Sequence, residues 1–140
     1  MSEKKKVLIL CTGNSARSQM AEGLLRHLGG DRFDVESAGT LASFVRPQAI
    51  AVMDEIGIDI SGHRSKNLAE FLDRPFDHVI TVCDKAAENC PVFPGAARRS
   101  HWSFDDPAAA VGTDEDVLNF YRLVRDEIGT KLTEFIENNR

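Results

Sequence analysis

The chain contains neither a long apolar run nor many cysteines. Its longest apolar run near the start, residues 7–11, is far shorter than the apolar core of a signal peptide or of a membrane-spanning helix. This pattern argues against export and membrane insertion, so we expect a cytoplasmic protein. The 140 residues and the 42% apolar content are those of an ordinary globule, so we expect a single domain over residues 1–140.

Positive charge is scarce and scattered. The chain has 17 lysine and arginine residues against 22 aspartate and glutamate residues, which gives a net charge of -5. The basic clusters are the lysines at residues 4–6 and the pair Arg98 and Arg99, and they form no continuous stripe. We therefore expect neither nucleic acid nor an anionic membrane as a partner.

Cysteine is limited to Cys11, Cys83 and Cys90. An odd number of cysteines in a chain without an export signal argues against a structural disulfide framework. The sequence has no Cys-x-x-Cys pair, and only His78 and His101 lie nearby as nitrogen ligands, so the spacing does not suit zinc. Buried thiols and redox chemistry remain as alternatives.

Strand and helix patterns alternate along the chain. Strands are predicted at residues 6–10, 33–38 and 78–83, with a weaker one at residues 100–102. Helices are predicted at residues 15–28, 47–56 and 68–72, and from about residue 114 onward. In the second helix the apolar residues Ile50, Met53 and Ile56 are expected on one face. The alternation predicts an α/β fold, namely a single three-layer domain with a parallel four-stranded sheet and helices on both faces.

The most informative stretch is VLILCTGNSARS, residues 7–18, in which an apolar strand ends on Cys11. In a parallel sheet, ligands bind beyond the carboxyl ends of the strands. The chain continues into five residues that are small or tolerate left-handed backbone angles: Thr12, Gly13, Asn14, Ser15 and Ala16. Their amides can curl around one point at a helix N-terminus, which is an arrangement that binds an oxyanion.

Two side chains in the first helical turn complete this pattern. Arg17 can return over the loop and bind two oxygens of a tetrahedral anion, and Ser18 can donate its hydroxyl to the Cys11 sulfur. The helix N-terminus and the guanidinium also favour the thiolate of Cys11, which is the reactive form. Cys11 is therefore the candidate nucleophile. The alternative, a cysteine that only packs at a strand end, leaves the loop, the arginine and the serine unexplained.

A departing oxygen needs a proton, which must come from elsewhere in the chain. Asp106 precedes Pro107 within residues 91–112, the longest stretch without periodicity. A loop of that length is usually functional. We take Asp106 as the candidate general acid and Asp105 as the second choice; the alternative is that Asp106 and Pro107 only form a turn.

Together these motifs resemble the thioredoxin-coupled arsenate reductases, which share the low-molecular-weight protein tyrosine phosphatase fold. The resemblance covers nearly the whole chain. The matching stretches are residues 11–18 (CTGNSARS), Glu22 and Gly23, residues 37–40 (SAGT), the pair Cys83 and Cys90, and residues 101–107 (HWSFDDP).

The resemblance implies a reaction and a reductant. Cys11 would attack arsenate held by the loop amides and Arg17, while Asp106 protonates the departing oxygen. Cys83 would attack the cysteine-arsenic adduct, and Cys90 would then exchange with Cys83 and present their disulfide to thioredoxin. If the segment between these two cysteines is helical, they are about 10 Å apart along its axis, so their disulfide requires it to unwind. The implied enzyme binds no cofactor, accepts phosphate or sulfate as mimics of arsenate, uses thioredoxin as its external reductant and is a monomer.

Two other functions remain open. The first is a low-molecular-weight protein tyrosine phosphatase that hydrolyses phosphomonoesters through a phosphocysteine. Against it, Ala108 and Ala109 stand where those phosphatases usually carry aromatic residues, and Ala16 stands where they often have a second cysteine. The second is a non-catalytic domain that recognises oxyanions or phosphorylated partners, which leaves Cys83 and Cys90 without a role.

Some members of the resembled family bind a monovalent cation near the residues equivalent to Glu22 and Ser37. Here Arg64 and Lys66 lie in the segment that would complete that site. We expect Lys66 to take the place of the cation, and we predict no metal.

Overall fold

The computed structural model describes residues 4–83 and 98–139. Within them, four strands form one parallel sheet in the order β2-β1-β3-β4. In chain order, the strands and helices are β1 (Lys5–Cys11), α1 (Arg17–Gly29), β2 (Phe33–Gly39), α2 (Pro47–Asp54), β3 (His78–Thr81), β4 (Arg98–His101) and α3 (Asp114–Asn138). The predicted α/β fold with a parallel four-stranded sheet is confirmed.

Strand β1 lies in the interior of the sheet and carries its core. Four consecutive residues, Val7, Leu8, Ile9 and Leu10, are completely buried. Successive side chains of a strand point to opposite faces, so both faces of the sheet are covered at β1. In the pairing register Cys11 lies beside Gly39 of β2, so β1 and β2 end side by side. Their carboxyl ends define the edge where the candidate site forms.

Helix α3 follows its predicted pattern. Its buried residues include Tyr121, Val124, Ile128, Leu132 and Phe135. It begins with a capping box, in which the Thr113 hydroxyl accepts from the amide of Asp116 and the Asp116 carboxylate accepts from the amide of Thr113. It packs against α1 and α2. No helix within residues 4–83 and 98–139 is both long and apolar enough to cross a bilayer.

The predicted face of α2 is confirmed only in part: Met53 is buried and Ile50 is partly buried against the core. The helix ends at Asp54, and Ile56 lies beyond it with 42% of its surface exposed. The residues that α2 buries are Ala49, Val52 and Met53. Gly23 of α1 leaves room for the side chain of Met53. A Cβ at residue 23 would lie only 3.1 Å from the Cε of Met53. The contacts of α2 with the neighbouring helices therefore determine which of its residues are buried. The spacing of its largest side chains does not determine this.

Two predicted elements differ in length or type. Strand β3 ends at Thr81 and not at Cys83, although the amide of Val82 still donates to the carbonyl of Leu10 at 2.9 Å. The short helix predicted at residues 68–72 is a 3₁₀ turn, Leu68–Phe71, whose first turn is capped by the side chain of Asn67. The segment between Cys83 and Cys90 and the first part of the predicted long loop lie outside the described residues.

Candidate active site

The loop of residues 12–16 joins β1 to α1 and curls around the sulfur of Cys11. Asn14 has a φ of 47°, in the left-handed region that asparagine tolerates better than most residues. Its amide therefore points back and donates to Cys11 Sγ at 3.2 Å. Cys11 itself is 2% exposed. We call residues 12–16 the cradle; this is the loop for which the sequence predicted an oxyanion site.

Ser18 lies on the other side of the same sulfur. Its Oγ is 2.8 Å from Cys11 Sγ, and it accepts from Nδ2 of Asn14 at 2.7 Å. Because the asparagine amide supplies that hydrogen, the serine hydroxyl is left to donate its own hydrogen to the sulfur. The amide of Asn14 and the hydroxyl of Ser18 are therefore both directed at the sulfur of the candidate nucleophile.

Arg17 connects the cradle to the loop that carries Asp106. Its side chain is 12% exposed, and Nη1 donates to the carbonyl of Phe104 at 3.1 Å. Its Nη2 lies 3.6 Å from Oδ2 of Asp106. The guanidinium thus stands between the cradle and the candidate acid.

Asp106 forms the turn that the sequence offered as the alternative to an acid role, and its other carboxylate oxygen faces Arg17. One carboxylate oxygen, Oδ1, accepts from the amide of Ala108 at 3.0 Å and caps the 3₁₀ turn Pro107–Ala109. The other oxygen faces Arg17, and the side chain is 46% exposed. The turn therefore leaves one carboxylate oxygen free to contact Arg17, and the role of Asp106 as general acid stays a prediction.

Cys83 lies at the wall of the cradle. Its sulfur is 3.2 Å from the hydroxyl oxygen of Thr12, although 71 residues separate them in sequence. Both Cys11 and Cys83 are buried, and neither forms a disulfide. The structure therefore brings a second thiol to the candidate nucleophile's loop. Cys90, the third predicted relay residue, lies outside the described residues.

The side chain of Asn14 holds the cradle in shape, a role that the sequence analysis missed. Its Oδ1 accepts from Nε2 of Gln19 at 2.9 Å and from the amide of Lys66 at 2.8 Å. Its Nδ2 donates to Ser37 Oγ at 3.0 Å. An asparagine at residue 14 could have suggested a left-handed backbone angle. No local sequence pattern predicts hydrogen-bond partners as distant in sequence as Lys66 and Ser37.

Gly39 is required by the close approach of β2 to the cradle. A Cβ at this position would lie 2.5 Å from the carbonyl oxygen of Thr12 and 2.8 Å from the amide nitrogen of Asn14. Real Cβ atoms do not come so close to backbone atoms, so any side chain at residue 39 would push the cradle away. The resemblance included this glycine within residues 37–40, and the structure supplies the reason.

Lys66 contacts Glu22, as predicted. Its Nζ is 3.3 Å from Glu22 Oε1 and 2.8 Å from Glu36 Oε1, and Ser37 Oγ donates to Glu22 Oε1 at 2.6 Å. Burial acts to raise the pKa of Glu22, but the charge of Lys66 and the bond from Ser37 outweigh it, so the pKa is lowered. Arg64 turns away and pairs with the carboxylate of Glu70 at 2.6 Å. An ammonium group therefore lies where the sequence analysis expected it.

His63 joins this cluster, with Nε2 3.5 Å from Oε2 of Glu22. Its Nε2 lies 3.3 Å from Nη1 of Arg26, which can only donate, so Nε2 accepts and Nδ1 carries the hydrogen toward Gln19 Oε1 at 3.0 Å. Burial lowers the pKa of His63, and the charge of Glu22 opposes this only in part. The described ranges, 4–83 and 98–139, contain no group of three or more histidine, cysteine, aspartate or glutamate side chains that could hold a metal ion.

Comparisons with known proteins agree with this geometry. Residues 6–139 match the family described as low molecular weight phosphotyrosine protein phosphatase. The arsenate reductase of Bacillus subtilis is 46% identical over 138 residues, which cover 99% of each chain. The arsenate reductase of Halalkalibacterium halodurans is 49% identical over 137 residues, which cover 98% of this chain and 99% of the relative. A solved arsenate reductase in the phosphate binding state superposes with a TM-score of 0.77 at 35% identity, over 96% of this chain and 98% of that one.

Proposed function

The chain belongs to the low molecular weight phosphotyrosine protein phosphatase family and, within it, to the arsenate reductases, and we propose that it reduces arsenate to arsenite through three cysteines that thioredoxin regenerates. The observation that carries this proposal is the contact between Cys83 Sγ and Thr12 Oγ1 at 3.2 Å. Ester hydrolysis through a phosphocysteine needs one thiol. A second thiol at the wall of the same cradle serves a reduction.

In the first step, Cys11 attacks arsenate as a thiolate. A sulfur-arsenic bond forms and an arsenic-oxygen bond breaks, and Asp106 gives a proton to the departing oxygen so that water leaves. The cradle amides and Arg17 hold the remaining oxygens. The bonds from Asn14 and Ser18 to Cys11 Sγ support this assignment of the nucleophile.

In the second step, Cys83 attacks the sulfur of Cys11. A disulfide forms between the two cysteines, the sulfur-arsenic bond breaks, and its electron pair passes to arsenic, which leaves as arsenite. The position of Thr12 supports this step, because its hydroxyl can donate to a Cys83 thiolate.

The last steps regenerate the enzyme. Cys90 attacks Cys83 as a thiolate, which frees Cys11 and leaves a disulfide between Cys83 and Cys90. Two thiols of thioredoxin then reduce that disulfide and become a disulfide themselves. The protein acts in the cytoplasm on this proposal, where thioredoxin keeps such thiols reduced.

The proposal is tested by arsenate-dependent oxidation of NADPH in the presence of thioredoxin and thioredoxin reductase. We expect oxidation of NADPH that requires this protein, thioredoxin and thioredoxin reductase, and that does not occur without arsenate. Glutaredoxin and a small thiol replace thioredoxin in parallel reactions to identify the reductant. Absence of turnover with every reductant, together with brisk hydrolysis of an aryl phosphate, would assign the chain to the phosphatases.

The relay is tested separately with Cys90→Ser. This variant should complete one turnover and then stop with a disulfide between Cys11 and Cys83, which mass spectrometry of a proteolytic digest detects. Cys83→Ser is the matched control, because it should release no arsenite at all. Only free thiols in the Cys90→Ser protein after arsenate treatment would contradict the relay.

A further inference from the structure

Gln19 is a completely buried polar side chain in the first turns of α1, next to the cradle. Because it has no contact with solvent, its amide group must find its hydrogen-bond partners within the protein. Its Nε2 donates to the carbonyl oxygen of Asn14 at 3.1 Å and to Oδ1 of the same residue at 2.9 Å. It also donates to the carbonyl oxygen of Arg64 at 3.0 Å. One side chain therefore joins the cradle to a segment 45 residues away in sequence.

The partners of the Gln19 amide fix its orientation. The backbone amide of Lys66 donates to Asn14 Oδ1 at 2.8 Å, so this atom is the oxygen of the asparagine side chain. Nε2 of Gln19 thus faces three oxygen acceptors. Its Oε1 lies 3.0 Å from Nδ1 of His63, which carries the ring hydrogen. A reversed amide would direct its oxygen at those three acceptors and its hydrogens at the histidine N-H, so only one orientation satisfies all four contacts.

These bonds act on the cradle residue that has a left-handed backbone. Asn14 has a φ of 47°, a conformation that costs free energy for a residue with a Cβ and persists only where its neighbours hold it. Gln19 binds the backbone oxygen and the side-chain oxygen of Asn14 at once, so it restrains the backbone and the side-chain rotamer together. The amide of Asn14 is thereby kept directed at Cys11 Sγ, 3.2 Å away.

We propose that Gln19 is a positioning residue of the oxyanion site, which holds Asn14 in its left-handed conformation so that the cradle is shaped for an anion before the anion enters. This inference rests on the proposed function, because it needs a tetrahedral oxyanion in the cradle. Gln19 is completely buried and acts on the anion only through Asn14. A loop that already has the binding conformation loses less freedom when the anion binds, so the anion binds more tightly.

Titration calorimetry of inorganic phosphate into the purified protein tests the inference. Gln19→Met keeps a side chain of similar length and volume but removes both N-H donors. If the fraction of molecules with a correctly shaped cradle falls to about a tenth, phosphate binding weakens roughly 10-fold. Gln48→Met is the matched control: it makes the same substitution at the chain's other glutamine, which is partly exposed on α2, and it should bind phosphate like the wild type.

Arsenate reduction separates positioning from a general loss of stability. In Gln19→Met the KM for arsenate should rise roughly 10-fold while kcat changes less than about 2-fold, because saturating arsenate selects the molecules with a correctly shaped cradle. Leu25→Ala is the control for stability, since it removes completely buried atoms farther along the same helix. It should lower the free energy of unfolding and leave KM unchanged.

Gln19→Asn is a milder variant that keeps the amide and shortens the side chain by one methylene. Its amide cannot reach both oxygens of Asn14, so it should weaken phosphate binding in the same direction; circular dichroism verifies that each variant is folded. Wild-type phosphate affinity in folded Gln19→Met or Gln19→Asn would overturn the inference. A lower kcat with an unchanged KM would overturn it as well, because Gln19 would then act outside anion binding. If the wild-type protein itself binds no phosphate, the proposed oxyanion site fails.

Discussion

Arg17 and Asp106 face each other at the mouth of the cradle, with Nη2 of the arginine 3.6 Å from Oδ2 of the aspartate. The arginine also donates to the carbonyl of Phe104, two residues before the aspartate. One guanidinium therefore holds the loop that carries the candidate acid, and on the proposed function it also binds the oxyanion. An oxyanion that enters the cradle competes with Asp106 for the same N-H donors.

Replacement of Asp106 by asparagine should slow the first chemical step by ~10² to 10⁴. The amide cannot supply the proton, but its Oδ1 can still accept from Ala108 and preserve the turn. The measurement is rapid-mixing release of arsenite in a single turnover, with phosphate affinity as a test of an intact cradle. Asp105→Asn is the control and should react like the wild type. An unaffected rate in Asp106→Asn would move the acid to Asp105 or to water.

Replacement of Thr12 by valine should slow the attack by Cys83. The change removes the hydroxyl that contacts Cys83 Sγ and keeps the shape of the side chain, so the thiolate loses one hydrogen bond and the rate falls roughly 2- to 10-fold. The measurement is the rate of disulfide formation after arsenate is added without thioredoxin. Thr130→Val, on the exposed side of α3, removes a hydroxyl far from the site and should leave the rate unchanged. Equal rates for Thr12→Val and the wild type would mean that this contact does not assist Cys83.

Replacement of Gly39 by alanine should displace the cradle. The new Cβ would lie 2.5 Å from the carbonyl oxygen of Thr12, and backbone atoms on both sides leave no flexible group that can yield. A displacement of about 1 Å at a catalytic centre lowers the rate by ~10². Gly62→Ala is the matched control, because no atom lies within 4 Å of a Cβ at that position. The comparison uses kcat/KM for arsenate, and similar values for the two variants would contradict the close approach.

The stability of the protein should fall as the pH decreases below about 6.5, the ordinary pKa of histidine. Burial lowers the pKa of His63 and of His78 in the folded state. Between the lowered and the ordinary values the unfolded chain binds more protons, so acidification favours unfolding. Below the lowered pKa values the loss of stability levels off. Above pH 7 these two histidines cause no further change in stability.

Urea unfolding at pH 7.5 and pH 5.5 measures this loss. The loss of stability between the two pH values should be smaller in His63→Gln than in the wild type. Glutamine does not titrate, and it can still form a hydrogen bond with Gln19. His27→Gln is the control, since His27 is exposed and its replacement should leave the pH dependence unchanged. An equal loss of stability in His63→Gln and the wild type would contradict the assignment of His63.

The errors of the sequence analysis lie where packing chooses between equivalent patterns. In α2 the large residues Ile50, Met53 and Ile56 are spaced for one helical face. Met53 is buried and Ile50 is partly buried against the core, but the helix ends before Ile56 and also buries Ala49 and Val52. Apolar residues on several sides of a short helix permit more than one orientation. Contacts with α1 and α3 select one of them.

The local chemistry of the site is determined by the sequence itself. The cradle, Cys11, Arg17 and Ser18 lie within eight consecutive residues, so a strand, a loop of small residues and a helix start are enough to bring them together. The alternation of strand and helix patterns likewise predicts the parallel sheet, because burial on both faces leaves a continuous apolar run that is visible in one strand at a time.

The tertiary structure decided which distant residues meet this local site. Thr12 contacts Cys83, Asn14 bonds to Ser37 and to the amide of Lys66, and Arg17 faces Asp106. These contacts depend on the strand order β2-β1-β3-β4, which places the carboxyl ends of β2 and β3 on the two sides of Cys11. Strand order is set by the packing of the whole core, and the spacing of residues along the chain does not record it.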